Sequence, residues 1–153
     1  MRALVAFVLA ALSLSAADFT TKKSLNLAVI KEMVTAAETE MAKRNVSVTI
    51  VIMDESANLL FLQKGDRAGL NTINFAQRKA RHSAFYGAPS KNSADALKAG
   101  NNAQLVMPNA FPNQGGLPIK VDGVTIGSIA CSGAPSEVDE AIAQAAIDAV
   151  IKK

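Results

Sequence analysis

The chain has 153 residues, with 16 basic and 13 acidic side chains, one His, one Cys and no Trp, and half of it is apolar. That length and composition suit one domain with a real core, and a net charge of +3 without a basic stripe argues against a nucleic-acid partner. A lone Cys excludes an intramolecular disulfide and Cys-rich zinc sites, and a lone His excludes paired-histidine motifs such as H-E-x-x-H.

Residues 1–17 read as a leader rather than as part of the fold. Arg2 precedes an apolar run from Ala3 to Leu14, broken by Ser13, and Ser15-Ala16-Ala17 places small residues just before Asp18. This is the order of a secretory signal, and the run is too short to span ~30 Å of hydrocarbon. A mature chain of residues 18–153 is expected as a single domain, exported to the periplasm or secreted. No later apolar run approaches the ~20 residues of a membrane span.

Leu25, Val29, Met33, Ala36-Ala37 and Met41 recur at helical spacing. Asn26 is placed to cap that helix, Leu25 and Ile30 to staple it, and Arg44-Asn45 to close it. Val46 to Met53 is rich in β-branched residues and reads as a strand buried on both faces. A turn at residues 54–58 leads into a second strand, Leu59 to Gln63, completing a hairpin. After a polar loop at residues 64–69, a helix runs from Asn71 to Tyr86 and stops at Gly87-Ala88-Pro89. Ser93 to Ala99 reads as a short helix. Residues 100–118 form a long loop rich in Pro, Gly and Asn, a kind that is often functional. Leu117–Val121 and Val124–Cys131 make a second hairpin about Asp122-Gly123, a type I′ signal. Ser136 and Asp139 look like a capping box opening the last helix, whose apolar stripe includes Val138, Ile142, Ala145-Ala146 and Val150. The order α-β-β-α-(α)-loop-β-β-α predicts an α+β layer fold on an antiparallel sheet of two hairpins.

The helix at residues 71–86 carries the chemistry-bearing side chains. Ile73, Ala76, Ala80, Ala84 and Gly87 fall on one side and allow close packing. Phe75, Lys79, His82 and Tyr86 gather on another, a mixed aromatic and cationic stripe fitted to a ligand or to a second subunit. His82 is the one imidazole and hence the candidate metal ligand or general base, and Tyr86 one turn later is a second candidate for haem iron. No G-x-S-x-G elbow is present, Ser83 points away from His82, and no catalytic motif is recognisable. Cys131 ends an apolar strand, where a Cys is usually a small buried hydrophobe, although a thiol nucleophile paired with His82 is an alternative. Gly115-Gly116 lacks phosphate-loop spacing but permits close backbone approach to a ligand or a strand.

Several segments in one order resemble the GlcG/HbpS-type haem-binding family, which also supplies the C-terminal domain of PduO cobalamin adenosyltransferases. They are Leu25-Asn26-Leu27, Val51-Ile52-Met53-Asp54, Lys79-Ala80-Arg81, Pro89-Ser90, Gly115-Gly116-Leu117-Pro118-Ile119, Asp122-Gly123, Gly127 and Cys131-Ser132-Gly133-Ala134. The resemblance implies a profilin-like α/β sandwich, homo-oligomers and, in some members, haem binding, slow haem degradation or redox sensing. It departs from the family at Glu55-Ser56-Ala57-Asn58, where Gly-Gly is favoured, and at His82, where Thr is common. The first helix carries no His. The resulting expectation is haem beside the middle helix and the Gly115-Gly116 loop, with iron contact from His82 or Tyr86 and a propionate counter-charge from Lys79 or Arg67. The alternatives are a non-haem small-molecule or structural oligomeric module, and an enzyme acting on a small carbonyl or hydroxy acid through Asp66, Lys79 or His82.

Overall fold

A computed structural model describes residues 20–151, so the leader read at residues 1–17 lies outside the described residues. The elements are α1 (Leu27–Lys43), β1 (Thr49–Asp54), β2 (Leu59–Lys64), α2 (Thr72–Tyr86), α3 (Ser90–Lys98), a 3₁₀ turn (Asn102–Leu105), β3 (Gly116–Val121), β4 (Val124–Ser132) and α4 (Ser136–Val150). Asn26 caps α1 as its position suggests, its side chain accepting from the Val29 amide at 2.9 Å. Asp54 organises the first hairpin turn by accepting from the Ser56 and Asn58 amides at 2.9 and 2.8 Å. Asp122 and Gly123 both take positive φ, 51° and 78°, as a type I′ turn requires.

The strands form one antiparallel sheet in the order β2-β1-β4-β3, so the two hairpins join through their inner strands. Strand alternation divides the core into two layers. Ile50 and Ile52 of β1, opposite Cys131 and Ile129 of β4, face α1 and α4. Val51 and Met53, with Ala130 beside them, face Ala76, Ala80 and Ala84 of α2. The near-continuous apolar sequence of β1 follows from this two-sided cover. β2 is an outer strand and leaves Leu59 and Leu60 partly in solvent.

The small face of α2 lets it lie against backbone. Ser128 donates to the Ala80 carbonyl at 2.8 Å, and the Thr49 and Thr72 hydroxyls meet at 2.8 Å. A Cβ on Gly116 would stand 2.5 Å from the Lys79 carbonyl oxygen, so β3 approaches the helix at a distance that only glycine permits.

One ion pair links the two layers around the end of the sheet. Lys79 Nζ of α2 lies 2.9 Å from Asp139 Oδ2 of α4 and donates to the Cys131 carbonyl at 3.1 Å. Both side chains are almost fully buried. Gly115, at φ 124°, passes beside the pair, and a Cβ there would stand 2.8 Å from Nζ. Burial pushes the Asp139 carboxyl above the usual carboxylate range, opposed by the Lys79 charge and by hydrogen bonds from Lys79 and from the Gly133 and Ala134 amides.

Three expectations change. Ser136 is the first helical residue rather than a cap, and Asp139 turns inward to Lys79 while its second oxygen accepts from the Ala134 amide at 3.0 Å. α3 begins at Ser90, not Ser93, because Pro89 precedes its first turn instead of merely ending α2. The long connection holds a 3₁₀ turn in which Asn101 accepts from the Ala103 amide.

Two measurements check this arrangement. Lys79→Met or Asp139→Leu alone should lower unfolding stability by ~3–5 kcal/mol in urea, because each leaves a buried charge or carbonyl partner uncompensated. The double variant Lys79→Met/Asp139→Leu should recover most of that loss; additive losses would show that the pair is not coupled. Gly116→Ala should lose ~1–3 kcal/mol with an unchanged m-value, from overpacking between β3 and α2.

Candidate functional site

The flank of α2 bearing Phe75, Lys79, His82 and Tyr86 is largely covered by the chain: Lys79 and His82 are buried, and Phe75 and Tyr86 are half-buried. It lies roughly a third of a turn from the alanine face, and α3 with residues 106–113 fills the space beside it. His82 is 1% exposed. The Phe111 amide donates to its Nδ1 at 3.1 Å, and its Nε2 faces the Ser93 hydroxyl at 3.5 Å. Because Nδ1 accepts, the neutral ring carries its proton on Nε2. Burial holds the imidazole below its ordinary pKa. The Tyr86 hydroxyl donates to the Pro108 carbonyl, and its ring lies 4.8 Å from that of His82. Phe111 packs edge-on to Phe75 at 5.5 Å between centroids, and the Arg78 guanidinium covers it at 4.1 Å.

The structure brings together His82, Tyr86, Lys79, Gly115 and Gly116, but all except half-buried Tyr86 are interior groups. Lys79 is committed to Asp139, so the expected propionate contact is replaced by an internal ion pair. Gly115 and Gly116 are buried against Lys79, and their lack of side chains serves helix–strand approach instead of ligand contact. Arg67 stands apart, exposed in the loop before α2, while Tyr86 ends that helix, ~21 Å of axial rise further on. Cys131 faces the α1/α4 layer with its thiol pKa raised by burial, on the other side of the sheet from α2, so it forms no pair with His82. Asp66 is exposed in the β2–α2 loop, away from buried Lys79 and His82. No cluster of three or more His, Cys, Asp or Glu fit to hold a metal occurs among the described residues.

The accessible chemistry lies one step outward on α2. Arg78, Arg81 and Phe85 follow i, i+3, i+7 spacing and are exposed. The segment fastened to Tyr86 adds Val106 at 83% exposure and Met107 at 37%. Phe85 itself is 57% exposed and packs against Tyr86 with ring centroids 5.1 Å apart. Phe85 and the segment carrying Val106 and Met107 are thus both tied to Tyr86, and Arg78 and Arg81 are exposed on the same helix. A separate groove of about 370 Å³, lined by residues 20–23 and the β3–β4 turn, contains none of them. Sequence periodicity placed Phe75, Lys79, His82 and Tyr86 together but could not find Phe111, Pro108, Ser93 or Asp139, which arrive from distant segments. The clue to the first two was the uncharged composition of the long connection. No helix among the described residues is long and apolar enough to cross a membrane.

Comparison with known proteins agrees with this architecture. GlcG of Escherichia coli K12 is 30% identical over 112 residues, covering 73% of this chain and 84% of the relative. A crystal structure of a double mutant of HbpS from Streptomyces reticuli superposes with a TM-score of 0.79 at 27% identity, covering 93% of this chain and 99% of that one. The fold also matches a crystal structure of a PduOC–haem complex, with a TM-score of 0.77 at 23% identity and coverage of 84% and 96%. The family model described as "Haem degrading protein HbpS-like" matches residues 25–148. The chain belongs to the HbpS-like family.

Proposed function

We propose that the protein binds haem on the outward face of α2, against Phe85, Val106 and Met107, with Arg78 and Arg81 meeting the propionates. Membership of a family described as haem-degrading carries the reading, and the PduOC relative that shares the fold was crystallised with haem. The local chemistry supports the place: a tetrapyrrole offers a broad apolar face and two carboxylates, and this surface offers exposed apolar groups beside two cations. The interior donor set does not fit the iron as it stands. His82 gives Nδ1 to Phe111, and Tyr86 gives its proton to Pro108, so neither is assigned as an axial ligand. Haem would supply a redox-active iron; this chain's own residues would supply the apolar contact and the counter-charge.

The finer parts of the reading have separate supports. The leader-like order of residues 1–17 supports export to the periplasm or beyond. Partly exposed Leu59 and Leu60 on β2 support self-association. The family description supports slow turnover of bound haem.

Titrating haemin into the purified protein should shift the Soret band with saturation. Arg78→Glu/Arg81→Glu and, separately, Phe85→Asp should each weaken binding at least ~10-fold, equivalent to ~1.4 kcal/mol. Tyr86→Phe should leave the spectrum unchanged. No shift in the unaltered protein would remove the haem reading. A shift indifferent to the arginine and Phe85 changes would remove the location. Bleaching of the shifted band on adding a reductant in air would extend the reading to degradation.

A further inference from the structure

The long connection between α3 and β3 is attached to α2 by few bonds, and one of them depends on the protonation state of a single ring. Between Lys98 and Lys120 no side chain is titratable. Residues 106–113 lie outside the sheet and the four α-helices; their own backbone bonds are local, Ala110 to Met107 at 3.1 Å and Asn113 to Phe111 at 2.7 Å. Their hold on α2 consists of the Phe111 amide on His82, the Pro108 carbonyl on Tyr86, and the Phe111 ring between Phe75 and Arg78. Further along, the Asn113 carbonyl accepts from Ser90 at 2.7 Å, where the segment joins β3. A recess of about 190 Å³ between α3 and residues 112–114 leaves the far side of that junction loosely backed.

We propose that His82 is a pH-sensitive latch, and that its protonation releases residues 106–113 from α2 and uncovers the flank of Phe75, His82 and Tyr86. The chemistry is a conflict of donors. The Phe111 N–H points at Nδ1, and a proton on Nδ1 turns that bond into two N–H groups facing each other. The imidazolium carries a proton on both nitrogens, with Nε2 still facing Ser93, so no exchange of tautomers relieves the conflict.

Among the described residues, the surroundings offer the imidazolium no carboxylate partner. On α2 the neighbours are Tyr86, Arg78, Arg81 and Lys79, and the ammonium of Lys79 is held by Asp139 of α4. On α3, Ser93 faces the ring, while Lys91 and Asp95 pair with each other at the surface. Glu140 of α4 accepts from Gln114, and no carboxylate contributes to the shift of the ring. Burial therefore lowers the imidazole pKa, uncompensated by a carboxylate. A depressed value means that the closed form binds fewer protons than the open form. Its stability is complete above the ordinary imidazole pKa of ~6.5 and is lost as pH falls from there through the lowered value.

The device does not depend on which ligand the protein takes, so it is tested without one. Amide hydrogen exchange and the His82 ring resonance are followed by NMR on the ligand-free chain from pH 7.5 to 5. After correction for intrinsic exchange, protection at Phe111 should fall at least ~10-fold in step with ring protonation, while α1 and α4 amides stay protected. In His82→Gln, which keeps an accepting oxygen but does not titrate, protection should be independent of pH. Unchanged Phe111 protection while the ring protonates would overturn the proposal, with or without the variant. An equal fall in His82→Gln would overturn it as well. A ring that stays neutral down to pH 5 with constant protection would place the latch outside any working range and also overturn it.

Discussion

Everything on the α2 side of this molecule depends on a buried ammonium having a buried carboxylate to meet. Lys79 and Asp139 start from helices on opposite faces of the sheet and touch only because Gly115 lacks a side chain at the point where they pass. An isolated charge of either sign in this interior would be several kcal/mol unfavourable, so the two helices and the start of β3 must be correctly placed together or not at all. This couples the two layers more specifically than apolar packing does, since apolar contacts tolerate sliding and a paired charge does not. It also fixes the rotation of α2 about its axis, which sets what the next turn presents to α3 and what the outer face presents to solvent.

Within that frame the helix divides into three strips of different chemistry. The alanine strip rests on β1 and β4. The second strip, His82 and Tyr86, accepts and donates hydrogen bonds to the main chain of an otherwise uncharged segment. The third, Arg78, Arg81 and Phe85, is exposed to solvent. The surface proposed for haem thus lies on the same helix as the ring that secures its neighbouring segment. Movement of residues 106–113 would carry Val106 and Met107 with it and reshape that surface.

Much of this fold was legible in the sequence, for reasons that are local. Asn26 caps, Asp122-Gly123 turns and Gly87 terminates through their own backbone preferences, and β1 announces its two-sided burial in an unbroken apolar run. What was not legible is non-local. Asp139 has the spacing of a helix cap, and nothing near it in sequence reveals that Lys79 lies beneath it. The stripe of Phe75, Lys79, His82 and Tyr86 was correctly grouped, but its cover comes from Phe111 and Pro108, 25 or so residues onward in a segment without periodicity. A mixed stripe on a helix can therefore mean either a ligand or an internal polar seam. Periodicity alone does not separate the two.

The placement of Tyr86 has an optical consequence. The chain contains one Tyr and no Trp, so emission excited beyond the absorption edge of its six Phe rings arises from a single phenol. That phenol is one of the few groups fastening residues 106–113 to α2, and it sits beside the lone imidazole. The protein thereby carries a native fluorophore at the seam between the α3–β3 connection and α2. Its quantum yield and lifetime report on that seam alone, without labels and without a signal from the rest of the molecule.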